Sequence, residues 1–374
     1  MSTRPPAEVG MPLEAVDTPA LLIDLDAFER NIERLAQAVA GAPVNLRPHS
    51  KSHKCPVIAL RQMKSGAVGV CCQKVSEAEA MVYGGVPDVL VSNEIVGTSK
   101  ISRLVALAKE ARVSVCADHP SNVAALNEAA IAYKVQLPVL VEVNVGSNRC
   151  GVEPAEPVLA LAKQIAVSNG LRFAGLQAYY GGAQHVREYA GRKESIDRAS
   201  EKIRSTLEML RRHGLTCELV TGAGTGTYQF EAASGLWNEL QVGSYIFMDA
   251  DYLKNLKSDG TSGSEFEASL YVYATVMSCP AKERAMLDAG LKALSVDAGM
   301  PWVAGLPDVE YVRASDEHGW LKLHDANRSL PLGAKIRLIP GHCDPTVNLY
   351  DWYVCYRNNR VEAIWPITAR GAVL

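Results

Sequence analysis

The chain has 374 residues, 48% of them hydrophobic and 21% charged, which is too long for one small module and too apolar for a disordered regulator. With 38 Lys and Arg against 41 Asp and Glu, the net charge of -3 leaves no basic footprint for nucleic acid or an anionic membrane, so a small-molecule partner is expected. No apolar run approaches the roughly 20 residues of a membrane span and the opening MSTRPPAEVG lacks a signal-peptide core, so a cytoplasmic location is expected.

From residue 16 to about residue 250, short β-branched runs alternate with turns and with stretches of helical period. The runs that read as strands start at Ala20 (ALLIDLD), Val44 (VNLRP), Ala67 (AVGVCC), Asp88 (DVLVSN), Val113 (VSVCAD), Pro138 (PVLVEVNV), Phe173 (FAGLQAY), Cys217 (CELVTG) and Glu239 (ELQVGSY). After the first of them, AFERNIERLAQAV carries an apolar face of Ile32, Leu35, Ala36 and Val39, and further on VSEAEAMVYGG stops at a glycine pair. Parallel strands buried on both faces read as continuous apolar runs, so these predict a (β/α)8 TIM-type barrel with one strand to spare. Beyond about Asp251 the runs become short and alternating, as in EASLYVYATVMSCP, VEYVRASDEHG and DWYVCYRNNRVEAIWPI. A second, mostly antiparallel β domain is predicted, with the Ser/Gly-rich residues 257–265 as the junction. Nine cysteines without a C-x-x-C spacing read as buried apolar residues, not as a disulfide framework.

The densest chemistry lies in LRPHSKSHK, at the end of the second strand, and barrel active sites sit at strand C-termini. In an extended strand Arg47, His49 and Lys51 share one face, while Lys54 falls on the other parity. A lysine crowded by cations and partly desolvated has a lowered pKa and can attack a carbonyl as an amine; the same residues would also serve as a basic rim for a phosphate. In VTGAGTGT, Gly222, Gly224 and Gly226 permit a turn whose N–H groups converge on an anion, with hydroxyls from Thr221 and Thr225. Its spacing is neither that of a nucleotide P-loop nor that of a dinucleotide fingerprint. PGHCDPTVNLYD puts His342 and Asp344 on one face of an extended segment, with Cys343 pointing the other way. An imidazole and a carboxylate suit Mn²⁺, Mg²⁺, Co²⁺ or Zn²⁺ with waters, although an H-x-D pair also makes an ordinary hydrogen-bonded corner. Gln73, Asn93, Arg149, Tyr179 and His185 fall at or just beyond strand ends, hence on one face of the barrel; Arg149 could meet a ring nitrogen or a carboxylate, or close a structural salt bridge. Asp249, Asp251 and residues 316–318 have no evident place.

Taken in order, RPHSKSHK, GVCCQKVSEAEA, VSNEIVG, RCGV, GLQAYYG, TGAGTGT, ELQVGSYIFMDADY, DAGLK, DEHG and PGHCDPTVNLYDWY resemble the D-threonine aldolase family, over about residues 18–371. That family groups with the D-serine dehydratases among the alanine-racemase-like, fold type III pyridoxal-phosphate enzymes. The resemblance implies an N-terminal segment 1–26 whose strand joins the C-terminal domain, a pyridoxal-phosphate-binding barrel over 27–256, and a β domain over 257–374 carrying the metal ligands. It implies Lys51 as the lysine that bears the cofactor, contacts from Gln73 and Tyr179, and Arg149 at the pyridine nitrogen. The phosphate would be held by Thr221, Gly222, Gly224, Thr225 and Gly226. His342 and Asp344 match the aldolase metal pair, with Mn²⁺ the first expectation and Mg²⁺ or Co²⁺ next; D-serine dehydratases typically carry H-x-C there. Ala223 stands where relatives often have glycine, which requires a negative φ. The implied reaction is retro-aldol cleavage of D-threonine and related D-β-hydroxy-α-amino acids to glycine and an aldehyde, with His185 as the expected base, in a homodimer. Alternatives are a 3-hydroxy-D-aspartate aldolase giving glycine and glyoxylate, a D-serine or 3-hydroxy-D-aspartate dehydratase, and a non-catalytic cofactor-binding protein.

Overall fold

The computed structural model describes residues 4–325 and 327–374, so the first three residues of the expected N-terminal segment lie outside the described residues. The chain enters through strand β1 (Ala20–Asp24) and turns directly into helix α1 (Leu25–Val39). Asp24 makes that turn possible: its carboxylate accepts the N–H groups of Asp26 and Ala27, which the first helical turn leaves free. The stripe Phe28, Ile32, Leu35 and Val39 is buried, as its period demands.

Eight strands then follow: β2 (Asn45–Leu46), β3 (Val70–Cys72), β4 (Asp88–Glu94), β5 (Arg112–Ala117), β6 (Leu137–Glu142), β7 (Leu171–Ala178), β8 (Leu219–Gly222) and β9 (Glu239–Leu240). The helices between them are α2 (Pro56–Lys64), α3 (Val75–Tyr83), α4 (Thr98–Leu107), α5 (Pro120–Tyr133), α6 (Glu156–Ala166), α7 (Tyr189–Arg212) and α8 (Tyr228–Ala233). The strands pair in parallel in the order β2-β9-β8-β7-β6-β5-β4-β3. Between β2 and β3 the circle is completed by a parallel bridge of His49 with Cys71 and by the bond from Val68 N to Leu46 O at 2.9 Å. At Gly175, in β7, φ is +142° and a Cβ would lie 1.9 Å from Leu219 O of β8, so only glycine lets the two strands close there. Beside it the β6–β7 register shifts between Val139 and Leu140.

The ninth run, β1, belongs to the other sheet. There it pairs antiparallel with β10 (Leu270–Ala281) on one side, and the remaining elements are β11 (Arg284–Leu287), β12 (Trp302–Val303), β13 (Val309–Ala314), β14 (Gly319–Leu323), β15 (Lys335–Ile339), α9 (Cys343–Val347), β16 (Trp352–Arg357) and β17 (Arg360–Pro366). On its other side β1 is parallel to β16, and the order is β13-β14-β11-β10-β1-β16-β17, with β15 on β10 and β12 on β15. Asn358 and Asn359 turn the last hairpin at φ +48° and +56°, the left-handed pair a two-residue hairpin requires.

At the junction, residues 257–265 are largely exposed, with none buried. They fold back as a small loop, with Lys257 N on Thr261 O at 2.8 Å, a Leu256–Ser262 bridge, and Tyr228 Oη of α8 donating to Glu265 at 2.8 Å. All nine cysteines are free, and among the described residues no helix is long and apolar enough to cross a membrane.

Candidate active site

A cavity of about 550 Å³ opens where the barrel strands end. Lys51, Gln73, Arg149, Tyr179 and His185 all line it, as do His49, Ser92, Gln177 and Gln241. The last three escape a motif-based reading because a lone Ser or Gln at a strand end carries no signal of its own.

Lys51 does not sit on an extended strand with Arg47. After His49 the chain makes a single 3-10 turn over Ser50–Ser52, whose start His49 caps by accepting Lys51 N–H at Nδ1. Arg47 instead points into the barrel, 2.7 Å from Asp88 and 2.9 Å from Glu239, the opening residues of β4 and β9. Lys54, at φ +52°, is buried on Glu77 at 2.7 Å, and that carboxylate also caps α3 through the N–H groups of Gln73 and Lys74. The cationic crowd around Lys51 is therefore dispersed. Burial pulls the His49 imidazole well below its usual range, with Lys51 adding to the effect. Lys51 itself pairs with Asp344, which arrives from the second domain. Burial would lower the Lys51 pKa, but Asp344 outweighs it and the ammonium is raised above its ordinary value, the reverse of the depressed lysine the sequence suggests. Burial would likewise raise the Asp344 carboxyl, which Lys51 and then His342 hold down at about 2.

Gln73 bridges His49 Nε2 at 2.8 Å and Ser92 Oγ at 3.1 Å, and Asn93 fixes it by donating to its carbonyl at 3.0 Å. Arg149 is half-exposed and lies 5.7 Å over the Tyr179 ring. Its nearest carboxylate, Glu142, is 3.8 Å away, and burial followed by Glu94 pushes the Glu142 carboxyl up, so that contact is a weak ion pair and the guanidinium is left for a ligand. His185, on a 3-10 turn over Gly182–His185, has Nδ1 2.6 Å from Asp251.

The glycine turn is only partly open. Thr221 points into the barrel, donating to Glu239 at 2.9 Å. Gly226 N donates to Gln184 Oε1 at 2.9 Å, and Gly222, Gly224 and Gly226 each have neighbours that leave no room for a Cβ. Ala223 is at φ +70°, not the negative φ expected of it; the turn needs a left-handed residue there, and alanine takes it at a cost of about 1 kcal/mol. Thr225 and Gly226 line a second cavity of about 220 Å³ together with Arg192 and Tyr252. Thr225 Oγ1 is buried with no hydrogen-bond partner among the described residues, a donor left over for an anion.

His342 and Asp344 do not share an extended face either. His342 is the last extended residue before α9, and Asp344 lies in its first turn. Asp297 holds His342 Nδ1 at 2.8 Å, which leaves Nε2 as the nitrogen for a ligand. Cys343 is buried, its N–H on Asp249 at 3.1 Å. Among the described residues no three His, Cys, Asp or Glu side chains gather as a metal cage. An oriented imidazole and a full carboxylate nevertheless fit a hard cation that keeps most of its waters. The cavity, its half-buried Lys51, the flanking arginine and, in the second cavity, the orphaned Thr225 hydroxyl likewise fit an aromatic aldehyde carrying a phosphate.

The chain is similar to known proteins over nearly its whole length. Residues 23–251 match the family described as alanine racemase, N-terminal domain, and residues 269–356 match a serine dehydratase domain. A D-threonine aldolase of Arthrobacter sp. is 47% identical over 98% of this chain and 96% of its own. A 3-hydroxy-D-aspartate aldolase of Paracoccus denitrificans (strain Pd 1222) is 45% identical, covering 98% and 95%. The crystal structure of D-threonine aldolase from Filomicrobium marinum superposes with a TM-score of 0.96 at 50% identity, covering 100% of both chains.

Proposed function

Because the chain belongs to the D-threonine aldolase family of alanine-racemase-like lyases, which use pyridoxal phosphate, we propose that it cleaves D-threonine and related D-β-hydroxy-α-amino acids to glycine and an aldehyde with a divalent metal, Mn²⁺ first. The observation that carries this reading is the meeting of Lys51, Arg149, Tyr179 and His185 in one cavity with Asp344, reaching Lys51 from the other domain.

When bound, pyridoxal phosphate supplies an electron sink for the carbanion left at Cα, and the metal supplies a Lewis acid that acidifies the β-hydroxyl. Lys51 would hold the cofactor through Nζ, Arg149 would face its ring nitrogen, Gln73 and Tyr179 would flank it, and the turn from Gly222 to Gly226 with Thr225 would take its phosphate. His342 and Asp344 would hold the metal. His185 accepts the β-hydroxyl proton, so that the Cα–Cβ electrons are released toward Cα as the aldehyde forms. Of the cavity-lining cations, Lys51 and Arg149 are both committed to the cofactor, and His49 is held neutral. Among the described residues the cavity therefore offers a substrate β-carboxylate no side-chain cation beyond those assigned to the cofactor, which favours D-threonine over 3-hydroxy-D-aspartate.

The test is an assay of the purified protein with pyridoxal phosphate and Mn²⁺, before and after chelation, on D-threonine, L-threonine, 3-hydroxy-D-aspartate and D-serine. Glycine and acetaldehyde from D-threonine alone of the two threonines, lost with chelator and regained with Mn²⁺, is the expected result. Keto acid and ammonia would make the protein a dehydratase, glyoxylate as the favoured product a 3-hydroxy-D-aspartate aldolase, and cofactor absorbance without any product a non-catalytic binder.

A further inference from the structure

The 3-10 turn that presents His185 is held in place by the stretch that follows the barrel. Asn255 Nδ2 donates to Gln184 O at 3.0 Å and Leu256 N to Arg187 O at 2.9 Å. Arg192 ties both partners by donating to Arg187 O at 2.7 Å and to Leu256 O at 2.6 Å. At the head of this stretch Asp251 is 6% exposed and faces His185 with one oxygen, 2.6 Å from Nδ1, while its other oxygen receives the guanidinium of Arg187. Arg187 is fixed in turn by donating to Asp251 O at 2.7 Å and to Asn255 Oδ1 at 2.9 Å. Burial alone would raise the Asp251 carboxyl, but bonds from Arg187 and then His185 hold it below the usual range, so the group is a carboxylate and only accepts. An Nδ1 facing an acceptor at that distance carries a proton. The lone pair of the half-exposed ring is then on Nε2, and the ring leans on Tyr252 at 5.5 Å between centroids.

We propose that Asp251 is the positioning residue of the cleavage step: it fixes His185 in the tautomer whose Nε2 is basic and steadies the cation formed when the proton arrives, with Arg187 locking Asp251. The proton leaves the β-hydroxyl for Nε2, the C–O bond gains its second pair from the broken O–H bond, and the Cα–Cβ pair passes to Cα. Asp251 accepts a hydrogen bond throughout and never takes the proton. This rests on His185 being the base.

The test uses the holoenzyme with D-threonine and the variants Asp251→Asn, Asp251→Glu, His185→Ala and the double variant Asp251→Asn/His185→Ala. An amide in place of Asp251 stabilises the wrong tautomer, so kcat should fall by about 100-fold or more with KM changed by less than about threefold. Asp251→Glu should recover part of the loss. The double variant should be no slower than His185→Ala alone, since a residue acting through the imidazole has nothing left to act on. Cofactor absorbance and Tm identify a variant that has merely misfolded, and Asp251→Glu then carries the test. Full activity in Asp251→Asn, or losses that multiply in the double variant, would overturn the proposal while leaving His185 as base; full activity in His185→Ala would overturn both.

Discussion

Asp344 pairs with the Lys51 ammonium, is the carboxylate proposed to hold the metal, and sits next to Cys343. Because Asp344 is held at about 2 and Cys343 is buried against Asp249, the carboxylate and not the thiol is the available ligand. Asp344→Ala is expected to lose bound Mn²⁺ and activity together, whereas Cys343→Ala should keep metal stoichiometry and lose about twofold or less in kcat; equal losses in both, measured by metal analysis and D-threonine turnover, would sink the assignment. The residue types at these positions can be read from sequence, but their partners cannot. Nothing local says that Lys51 meets a carboxylate from the second domain, so a lysine among cations suggests a depressed pKa when the folded one is raised. Asp251 escaped for the same reason: a lone aspartate after a strand has meaning only once the His185 turn lies against it.

Among the elements, the β7–β8 contact leaves no room for a side chain. Any side chain at Gly175 must displace Leu219 O and also adopt φ +142°. Gly175→Ala should cost at least about 3 kcal/mol or yield no soluble protein, read by urea denaturation with m unchanged. Helix α8 carries the opposite case, a tunable group. Thr227 Oγ1 donates to Glu231 at 2.8 Å while Gln184 donates to Thr227 at 2.8 Å, a chain that braces the glycine turn. Burial pushes Glu231 up to about 7, above its unfolded value, so between about pH 4.5 and 7 the folded state binds more protons than the unfolded one. The contribution is present at low pH and is lost as pH rises through about 7. Glu231→Gln, which mimics the protonated form, should therefore gain stability relative to the parent by up to about 3 kcal/mol between pH 4.5 and 8, followed by thermal melts; a constant gap would refute it. The barrel strands themselves were readable because burial on both faces leaves no polar alternation, as in DVLVSN and PVLVEV. The two-residue β12 left no such trace, and Ala223 broke the rule that would have given it a negative φ.

At the scale of the molecule, the barrel supplies the cavity-lining Lys51, Arg149, Tyr179 and His185, and Asp344 reaches Lys51 from the β domain, so the proposed site draws on both. The same interdependence is written into β1, which lies between β10 and β16 and not in the barrel it leads into. During synthesis this apolar strand leaves the ribosome ahead of the barrel strands, and its neighbours β10 and β16 are made only after the entire barrel has been translated. Until then the segment ALLID has both edges unpaired, open to another chain. A chain ending between the barrel and residue 270 would therefore hold all eight barrel strands and still carry β1 with neither β10 nor β16 to pair it.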